Sequence, residues 1–183
     1  MVCSTCESMK KKVAAARKRT KTNVAIFGGK NFWGNNMSYK WAEPTWHFFH
    51  CLAGKIHEDF YRANAQQIFA LIININSVLP CPDCQNHAAA FFRNIRYTNY
   101  PSKESFRRLL LSFHNDINRR TNKPILPRSH LNKYDCGHFI NITNNFIRAM
   151  QSYKSTLGGG FVDTRQRQAM IRNIRTFRDT KYM

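Results

Sequence analysis

Apolar side chains recur at helical spacing through the middle of the chain. Near its start, Pro44 suits the first turn of a helix. The side chains that then share one face are Trp46, Phe49, His50 and Ala53. No stretch alternates between apolar and polar residues as a half-buried strand would. The pattern therefore predicts helices throughout this region.

A second helix carries the most regular apolar stripe of the chain. Its members are Tyr61, Ala65, Ile68, Ile72, Ile75 and Leu79. Steps that alternate between four and three residues are typical of the seam of a helical bundle. We expect Pro80 to end this helix. Pro82, one residue past Cys81, favours the start of the next helix, which we expect to run to about Ile95.

Three further helices are predicted towards the C-terminus. Ser102 is a candidate N-cap for a helix whose apolar stripe is Phe106, Leu109, Leu110, Phe113 and Ile117. Ser129 is a candidate cap for a fifth helix, with Phe139, Ile142, Phe146, Met150 and Tyr153 as its stripe. After the glycine-rich residues 155–163, the spacing of Met170, Ile171, Ile174 and Phe177 predicts a small amphipathic C-terminal helix.

These elements predict an all-α protein, a four-helix bundle plus a fifth helix, with basic N- and C-terminal extensions. Three segments follow from the same patterns. Residues 1–40 form a basic arm with at most a short helix, residues 41–154 form the helical domain, and residues 155–183 form a glycine linker and a basic helix.

Composition supports a packed core and argues against membrane insertion. The 183 residues suffice for one domain, and 43% of them are hydrophobic. The longest purely apolar run is six residues, Ile68–Ile73, too short to span a bilayer. The N-terminus reads MVCSTCESMKKK and has no apolar signal-peptide region. We therefore expect neither a membrane span nor secretion by a signal peptide.

Positive charge is concentrated at both ends of the chain. The formal net charge is +19, of which residues 1–30 carry +7 and residues 161–183 carry +4. Such ends are suited to nucleic acid, an anionic surface or an acidic protein, although solvated tails are as good an interpretation.

The cysteines point to chemistry more directly than the charge does. Among the six cysteines, two pairs have the spacing C-x-x-C, namely Cys3–Cys6 and Cys81–Cys84. In a reducing cytosol this motif is usually a redox or zinc motif. The pair Cys81 and Cys84 begins a predicted helix, whose unpaired N–H groups and dipole stabilise a thiolate.

Zinc binding is the alternative for this pair. Cys81, Cys84 and His87 have the spacing of zinc ligands, and His114 would complete a tetrahedral set. The helical context favours redox chemistry, because zinc knuckles usually lie in short turns. His87 also follows Cys84 by three residues and so shares its helix face.

Two polar features border the apolar stripes. His114, Asn118 and Asn122 are spaced by four on one predicted helix face, with Asn115 beside them. Such a stripe needs a polar partner or faces water. Trp46 and His50, one turn apart, form a second patch, for which a core tryptophan with a hydrogen-bonded histidine is the simpler interpretation.

Taken in order, these motifs resemble the Erv/ALR family of FAD-linked sulfhydryl oxidases. The matching segments are Trp46-His-Phe-Phe-His50, Pro80-Cys81-Pro-Asp-Cys84-Gln-Asn-His87 and His114-Asn115-Asp-Ile117-Asn118-Arg-Arg-Thr-Asn-Lys123-Pro124. The resemblance covers about residues 40–140. The opening Trp41-Ala-Glu-Pro-Thr-Trp46 is similar to that of the small versions found in large DNA viruses.

The resemblance implies FAD across the mouth of the bundle and assigns a role to each motif. Cys84 would lie beside the flavin, and Cys81 would exchange with an incoming dithiol. Trp46, His50 and His87 would lie against the cofactor. The adenine–ribose side would be contacted by His114, Asn115 and Asn118, and the pyrophosphate by Lys123, with Ile117 and Asn122 in the same site.

The implied activity is oxidation of protein dithiols to disulfides, with O₂ as acceptor and H₂O₂ as product. A homodimer is expected by the same resemblance. The location would be a viral factory, the host cytoplasm or the virion for a viral protein, and otherwise the mitochondrial intermembrane space. The alternative function is a zinc-stapled basic module that binds nucleic acid or builds a virion.

The sequence departs from the family at several positions. Ala42 and Glu43 stand where the family often has Gly and Arg before the tryptophan. Cellular members usually carry a second cysteine pair towards the C-terminus, whereas Cys136 stands alone in this sequence. Cys51 has no obvious partner and is expected to be a buried thiol. Cys3 and Cys6 resemble the shuttle pair that some relatives carry in an N-terminal arm; the alternative is a pair of incidental cysteines in an unconstrained terminus.

Overall fold

The computed structural model describes residues 41–135, 137–152 and 164–179, which belong to one compact unit. The predicted basic arm with Cys3 and Cys6, Cys136, and the glycine linker lie outside the described residues. Within the described residues the helices are α1 (Ala42–Lys55), α2 (Glu58–Ser77), α3 (Pro82–Phe92), α4 (Lys103–Arg120), α5 (Asn132–Asp135), α6 (Phe139–Ser152) and α7 (Thr164–Arg178). Short 3₁₀ turns occur at Tyr97–Asn99 and Arg128–Leu131.

The all-α prediction is confirmed, since the described residues contain helices and turns and no strand. Helix α1 packs against α4, α5 and α6, while α2 packs against α3, α4 and α7. Among the helices that the structure describes, none combines the length and the apolar character that a membrane span requires.

Most of the predicted apolar stripes lie in the core. The apolar seam is buried at Tyr61, Ile68, Ile72 and Ile75 of α2, and it continues with buried Leu79, two residues past the end of the helix. The C-terminal helix is confirmed as α7, and it buries Met170, Ile171 and Ile174. Burial of an aliphatic side chain of this size stabilises the fold by about 1.5–3 kcal/mol.

Two predicted helix starts are confirmed by their caps. Ser102 and Ser105 form a reciprocal capping box at α4, in which the backbone N–H of Ser105 donates to Ser102 Oγ at 3.2 Å. At α3, Pro82 occupies the first turn and Cys81 is the N-cap residue. Helix α3 ends at Phe92, three residues before the predicted Ile95.

The prediction of one continuous fifth helix after Ser129 is wrong. Ser129 caps no helix, because it lies inside the 3₁₀ turn Arg128–Leu131. The chain then forms the four-residue helix α5 and begins α6 only at Phe139. Between them Gly137 passes so close to α1 that a Cβ there would lie 3.2 Å from Cys51 Sγ. Glycine is a poor helix former, and the close approach to Cys51 leaves little room for a side chain at this position.

Candidate active site

The two cysteines of the central motif are joined as a disulfide at the start of α3. Their Cα atoms are 5.2 Å apart, and both residues are half-buried while Pro82 and Asp83 between them are exposed. The bond therefore lies at the surface of the bundle, where another thiol can approach it.

The helix start also prepares these sulfurs for exchange. The backbone N–H of Cys84 donates to Cys81 Sγ at 3.2 Å, so the Cys81 side chain caps α3. An N–H donor at a helix N-terminus favours a thiolate on the accepting sulfur. When the pair is reduced, this N–H donor would stabilise a thiolate on Cys81.

A chain of aromatic contacts connects α3 with α1. Cys84, His87 and Phe91 follow one another at helical spacing on one face of α3. The Phe91 ring lies 4.9 Å from the Phe113 ring of α4, measured between centroids, and the Phe113 ring lies 5.2 Å from the Trp46 indole of α1. The face that carries Cys84 is therefore linked through packed rings to the Trp46 patch.

Trp46, His50 and His114 form a compact group of flat rings. The imidazole of His114 stacks on the Trp46 indole, with 3.9 Å between centroids and 3° between planes. His50 Nε2 lies 2.9 Å from His114 Nδ1, a hydrogen bond in which one ring nitrogen donates to the other. Three residues that the sequence placed in two separate motifs thus form one cluster.

Burial keeps this cluster uncharged at neutral pH. It lowers the pKa of His114 to about 3, with smaller contributions from neighbouring His130 and Lys123. Burial also holds the pKa of His50 well below its ordinary value of 6.5, and His114 adds to the effect. The neutral imidazoles present nitrogen donors and acceptors rather than cations.

The cluster is completed by His130 and Tyr134, two residues that no sequence motif indicated as site residues. The Tyr134 ring lies 5.0 Å from that of His50, and the His130 ring lies 6.4 Å from it. Both residues belong to the segment between α4 and α6. Their spacing of four was the only available signal, and it could not show which helix they would meet.

Ion pairs and a hydrogen bond hold that segment against α4. Arg128 Nη2 lies 2.6 Å from Glu104 Oε1, and Arg107 Nη2 lies 2.8 Å from Asp135 Oδ1. Arg107 also donates to the Leu131 carbonyl at 3.4 Å. These contacts fix the position of His130 and Tyr134 over α1.

The amides of the predicted His/Asn stripe have partners within the chain. Asn115 Nδ2 donates to the Leu126 carbonyl at 3.0 Å, and its Oδ1 accepts the backbone N–H of Leu126 at 2.8 Å. Asn118 Nδ2 donates to the Pro124 carbonyl at 3.0 Å. Both side chains therefore anchor the segment that follows α4.

That segment includes two predicted cofactor residues, Asn122 and Lys123. Asn122 does not continue the helical stripe, because α4 ends at Arg120 and Asn122 has a φ of 52°. Asparagine tolerates this left-handed conformation better than most residues do. The turn leaves Lys123 exposed, yet close enough to His114 to contribute to lowering the pKa of that histidine.

The other predicted residues occupy varied environments. His87 and Ile117 are half-buried, and Ile117 packs against the core. Cys51 is a buried free thiol, as expected, and burial raises its pKa to about 11. Across residues 41–135, 137–152 and 164–179, no three His, Cys, Asp or Glu side chains form a group that could hold a metal ion. The zinc set of Cys81, Cys84, His87 and His114 therefore has no support there.

Known proteins resemble the region that holds this site. One relative is protein 347L of Invertebrate iridescent virus 6, whose provisional name is FAD-linked sulfhydryl oxidase. It is 32% identical to this chain over 97 residues, and the match covers 49% of this chain and 86% of the viral protein. The FAD-linked sulfhydryl oxidase ERV1 of Arabidopsis thaliana is 29% identical over 86 residues, covering 47% of this chain and 44% of the plant protein. No solved structure matches significantly.

The family assignment rests on a match that covers more of the chain than the match to either relative does. The model of the Erv1/Alr family matches residues 43–151, more than half of the 183. This stretch contains α1 to α6 almost completely, including the disulfide and the ring cluster. The chain therefore belongs to the Erv1/Alr family.

Proposed function

We propose that this protein is an FAD-linked sulfhydryl oxidase that forms disulfides in protein substrates and passes the electrons to O₂. The observation that carries the proposal is the Cys81–Cys84 disulfide, which lies accessible at a helix start and is linked by packed rings to the Trp46 cluster. The names of the viral and plant relatives support the same activity.

The ring cluster is suited to a flavin cofactor. His50 Nδ1 is buried and has no hydrogen-bond partner among the described residues. A buried polar atom in this state is unfavourable unless a ligand completes its bonding. Trp46 and His114 add flat faces for a heteroaromatic ring, and exposed Lys123 adds a cation suited to a pyrophosphate.

The proposed cofactor contacts follow from these positions. Trp46, His50 and His114 would hold the aromatic portions, and His87 would contribute from the Cys84 face of α3. Asn115 and Asn118 would act partly through the chain, since their amides fix the segment that presents Lys123. Ile117 and Asn122 remain proposed neighbours of the cofactor.

Substrate oxidation is a thiol–disulfide exchange at Cys81. A substrate thiolate attacks Cys81 Sγ, which forms a mixed disulfide and releases Cys84 as a thiolate. The second substrate thiolate then attacks the substrate sulfur of this bond and releases Cys81. The substrate loses two electrons and two protons, and the Cys81/Cys84 pair gains the two electrons. The Cys84 N–H stabilises the Cys81 thiolate that leaves.

When bound, FAD supplies the two-electron acceptor that re-oxidises the pair, with O₂ as the final acceptor and H₂O₂ as the product. The protein's own part is to keep the nearby imidazoles neutral and to exclude water by packing Phe91, Phe113 and Trp46 together.

The visible spectrum of the purified protein tests this function. A yellow protein should lose its visible flavin absorbance when a dithiol is added without air and regain it on exposure to air, with H₂O₂ formed in proportion to the dithiol consumed. A colourless protein that contains zinc would instead support the alternative of a basic, zinc-stapled binding module.

Several finer points belong to the same proposal. The family resemblance supports a homodimer, and the viral and plant relatives fit a viral compartment or the mitochondrial intermembrane space. The division into an arm at residues 1–40, a helical oxidase domain at 41–154 and a C-terminal extension at 155–183 also belongs to the proposal. Cys3 and Cys6 would act as a shuttle for protein substrates.

A further inference from the structure

Charged side chains are scarce in the part of the chain that carries the redox disulfide. Residues 63–92, which cover most of α2, the turn after it and all of α3, contain no lysine and no arginine, and Asp83 is their only acidic residue. With histidine counted as neutral, this stretch has a formal charge of −1, whereas the whole chain has +19. The disulfide therefore lies in a stretch whose charge is opposite in sign to that of the protein.

Asp83 also differs from most carboxylates of the protein in having no cationic partner. Six of the eight Asp and Glu residues that the structure describes lie 2.6–3.7 Å from a basic side-chain nitrogen, and these are Glu43, Glu58, Glu104, Asp116, Asp135 and Asp179. The two that form no ion pair with a described residue are Asp59 and Asp83. The charge of Asp83 is therefore not neutralised by a neighbouring described side chain.

The Asp83 carboxylate lies where a substrate thiol must approach. Asp83 is exposed in the first turn of α3, with Cys84 next to it and Cys81 two residues before it, so both cysteines lie within one helical turn. The rings of Phe92 and Phe113, which join α3 to α4, are 5.0 Å apart between centroids. That contact lies about 13 Å along the axis of α3 from Asp83.

The exposed surface on either side of the disulfide is uncharged. The exposed residues of α2 nearest to it in sequence share one face, at separations of three and four, and are Ala70, Ile73 and Ser77. The exposed residues of α3 that follow Asp83 are Asn86, Ala89 and Ala90. Because α2 packs on α3, a substrate that docks beside the disulfide meets uncharged side chains and one carboxylate.

We propose that Asp83 sets the substrate preference of this disulfide, favouring cysteine pairs flanked by basic residues over pairs flanked by acidic ones. The inference rests on the proposed oxidase function and names the class of dithiol that it takes. The attacking species is a thiolate, which the carboxylate repels. A cation beside the attacking sulfur offsets this repulsion by pairing with Asp83, whereas an acidic neighbour adds to it.

The exchange reaction itself is the same for both kinds of substrate. The two substrate thiols lose two electrons and two protons as their disulfide forms, and the Cys81–Cys84 bond is reduced by those two electrons. Asp83 forms and breaks no bond. It changes the free energy of the encounter and of the mixed disulfide through its charge.

Two other electrostatic effects have to be separated from this preference. A carboxylate in the first turn of a helix stabilises the helix through its dipole, which would affect reduction by all substrates alike. The net charge of +19 attracts acidic substrates over longer distances, and a single substitution changes it little. Dependence of the rate on substrate charge, compared between variants at position 83, therefore isolates the local carboxylate.

Two short dithiol peptides serve as probes, identical except that one has a lysine and the other a glutamate on each outer side of the cysteine pair. The parent protein is the full-length chain with Cys3→Ser and Cys6→Ser, so that the peptides react directly with Cys81. Reduction is followed without air by alkylation of the thiols and mass spectrometry of the Cys81 and Cys84 fragment, alongside the loss of flavin absorbance. The quantity compared is the ratio of the two rate constants, lysine peptide over glutamate peptide.

We expect Asp83→Asn to lower this ratio by about 3–10-fold at about 0.01 M salt, where the Debye length is about 30 Å. The difference from the parent should disappear at about 1 M salt, where that length is about 3 Å. Asp83→Lys should lower the ratio further, and Asp83→Glu should retain it. Asp59→Asn is the matched control, because it removes the other unpaired carboxylate at the start of α2 and should leave the ratio unchanged.

Three results would overturn the inference: an unchanged ratio in Asp83→Asn, an equal change in Asp59→Asn, or slowing of both peptides by the same factor, which indicates a structural role alone. Thermal melting checks that every variant is folded. If neither peptide reduced the Cys81–Cys84 bond of the parent, the oxidase function would fail and this inference with it. Reduction of the bond with one ratio in all variants would overturn the inference alone.

Discussion

The ring of His114 lies flat against the indole of Trp46, at 3.9 Å between centroids, although 68 positions of sequence separate the two residues. The contact joins α4 to α1 at the point where Phe113, the neighbour of His114, also reaches α3 through Phe91. The redox pair and the cluster proposed to hold the cofactor thereby share one packed set of rings.

Replacement of Cys84 by serine should abolish oxidase turnover and leave the fold and bound flavin intact. Serine cannot form the disulfide with Cys81, so the pair can no longer accept electrons from a dithiol. Peroxide production with dithiothreitol is the measurement. Cys51→Ala is the control, because this free thiol is buried and should be dispensable for turnover. Wild-type peroxide production by Cys84→Ser would show that the active pair is misassigned.

Lys123→Ala should weaken retention of FAD more than it weakens folding. The side chain is exposed and contributes little to the core, yet it lies near His114 and offers the pyrophosphate a cation. The ratio of flavin to protein after dialysis should fall several-fold, while the melting temperature of the flavin-free protein should change little. Arg172→Ala removes an equal charge from distant α7 and should retain the wild-type ratio; equal ratios in both variants would contradict the assignment.

Acid should destabilise the protein in the range where free histidines titrate. Burial lowers the folded-state pKa of His50 and His114 below the ordinary 6.5, so the unfolded chain binds more protons below that pH. The free energy of unfolding should therefore be level above about pH 7 and decline progressively as the pH falls below 6.5. Urea unfolding from pH 7.5 to 5 measures the slope. His114→Gln should show a shallower decline, and an unchanged slope would exclude His114 as a source.

Gly137→Ala should destabilise the fold by about 1–3 kcal/mol, the usual range for overpacking. The added methyl group would meet Ile142 Cδ1 at 3.0 Å and Cys51 Sγ at 3.2 Å. Gly54→Ala is the matched control on α1, because its added methyl would mainly meet the movable Asp135 carboxylate at 3.2 Å. Thermal or urea unfolding of the two variants decides the point: we expect a clear loss only at Gly137.

The double substitution Cys3→Ser and Cys6→Ser should distinguish protein substrates from small dithiols. A small dithiol can diffuse to Cys81, whereas a folded substrate is hindered and would need a tethered pair to collect its electrons. Turnover of dithiothreitol should remain near wild type, and turnover of a reduced protein should fall severalfold. Equal effects on the two substrates would exclude a shuttle function.

Local signals were sufficient for most of the helices and for the redox motif. The apolar seam of α2, the Ser102 cap and the helix start at Pro82 depend on residues within one or two turns of each other, so the sequence predicts them directly. The order of the Trp46, Cys81 and His114 motifs likewise identified the family resemblance before any contact was known.

The long-range contacts required the tertiary structure. No local pattern indicates that His130 and Tyr134 lie over His50, because the segment that carries them is positioned by ion pairs to α4. The same holds for the close approach of Gly137 to Cys51, and for Asn115, whose amide forms hydrogen bonds with the Leu126 backbone. The sequence by itself determined most of the helices and which residues can carry chemistry, since periodicity and motif spacing are local properties. The tertiary structure decided which of those residues meet, because packing between distant segments is set by the whole fold.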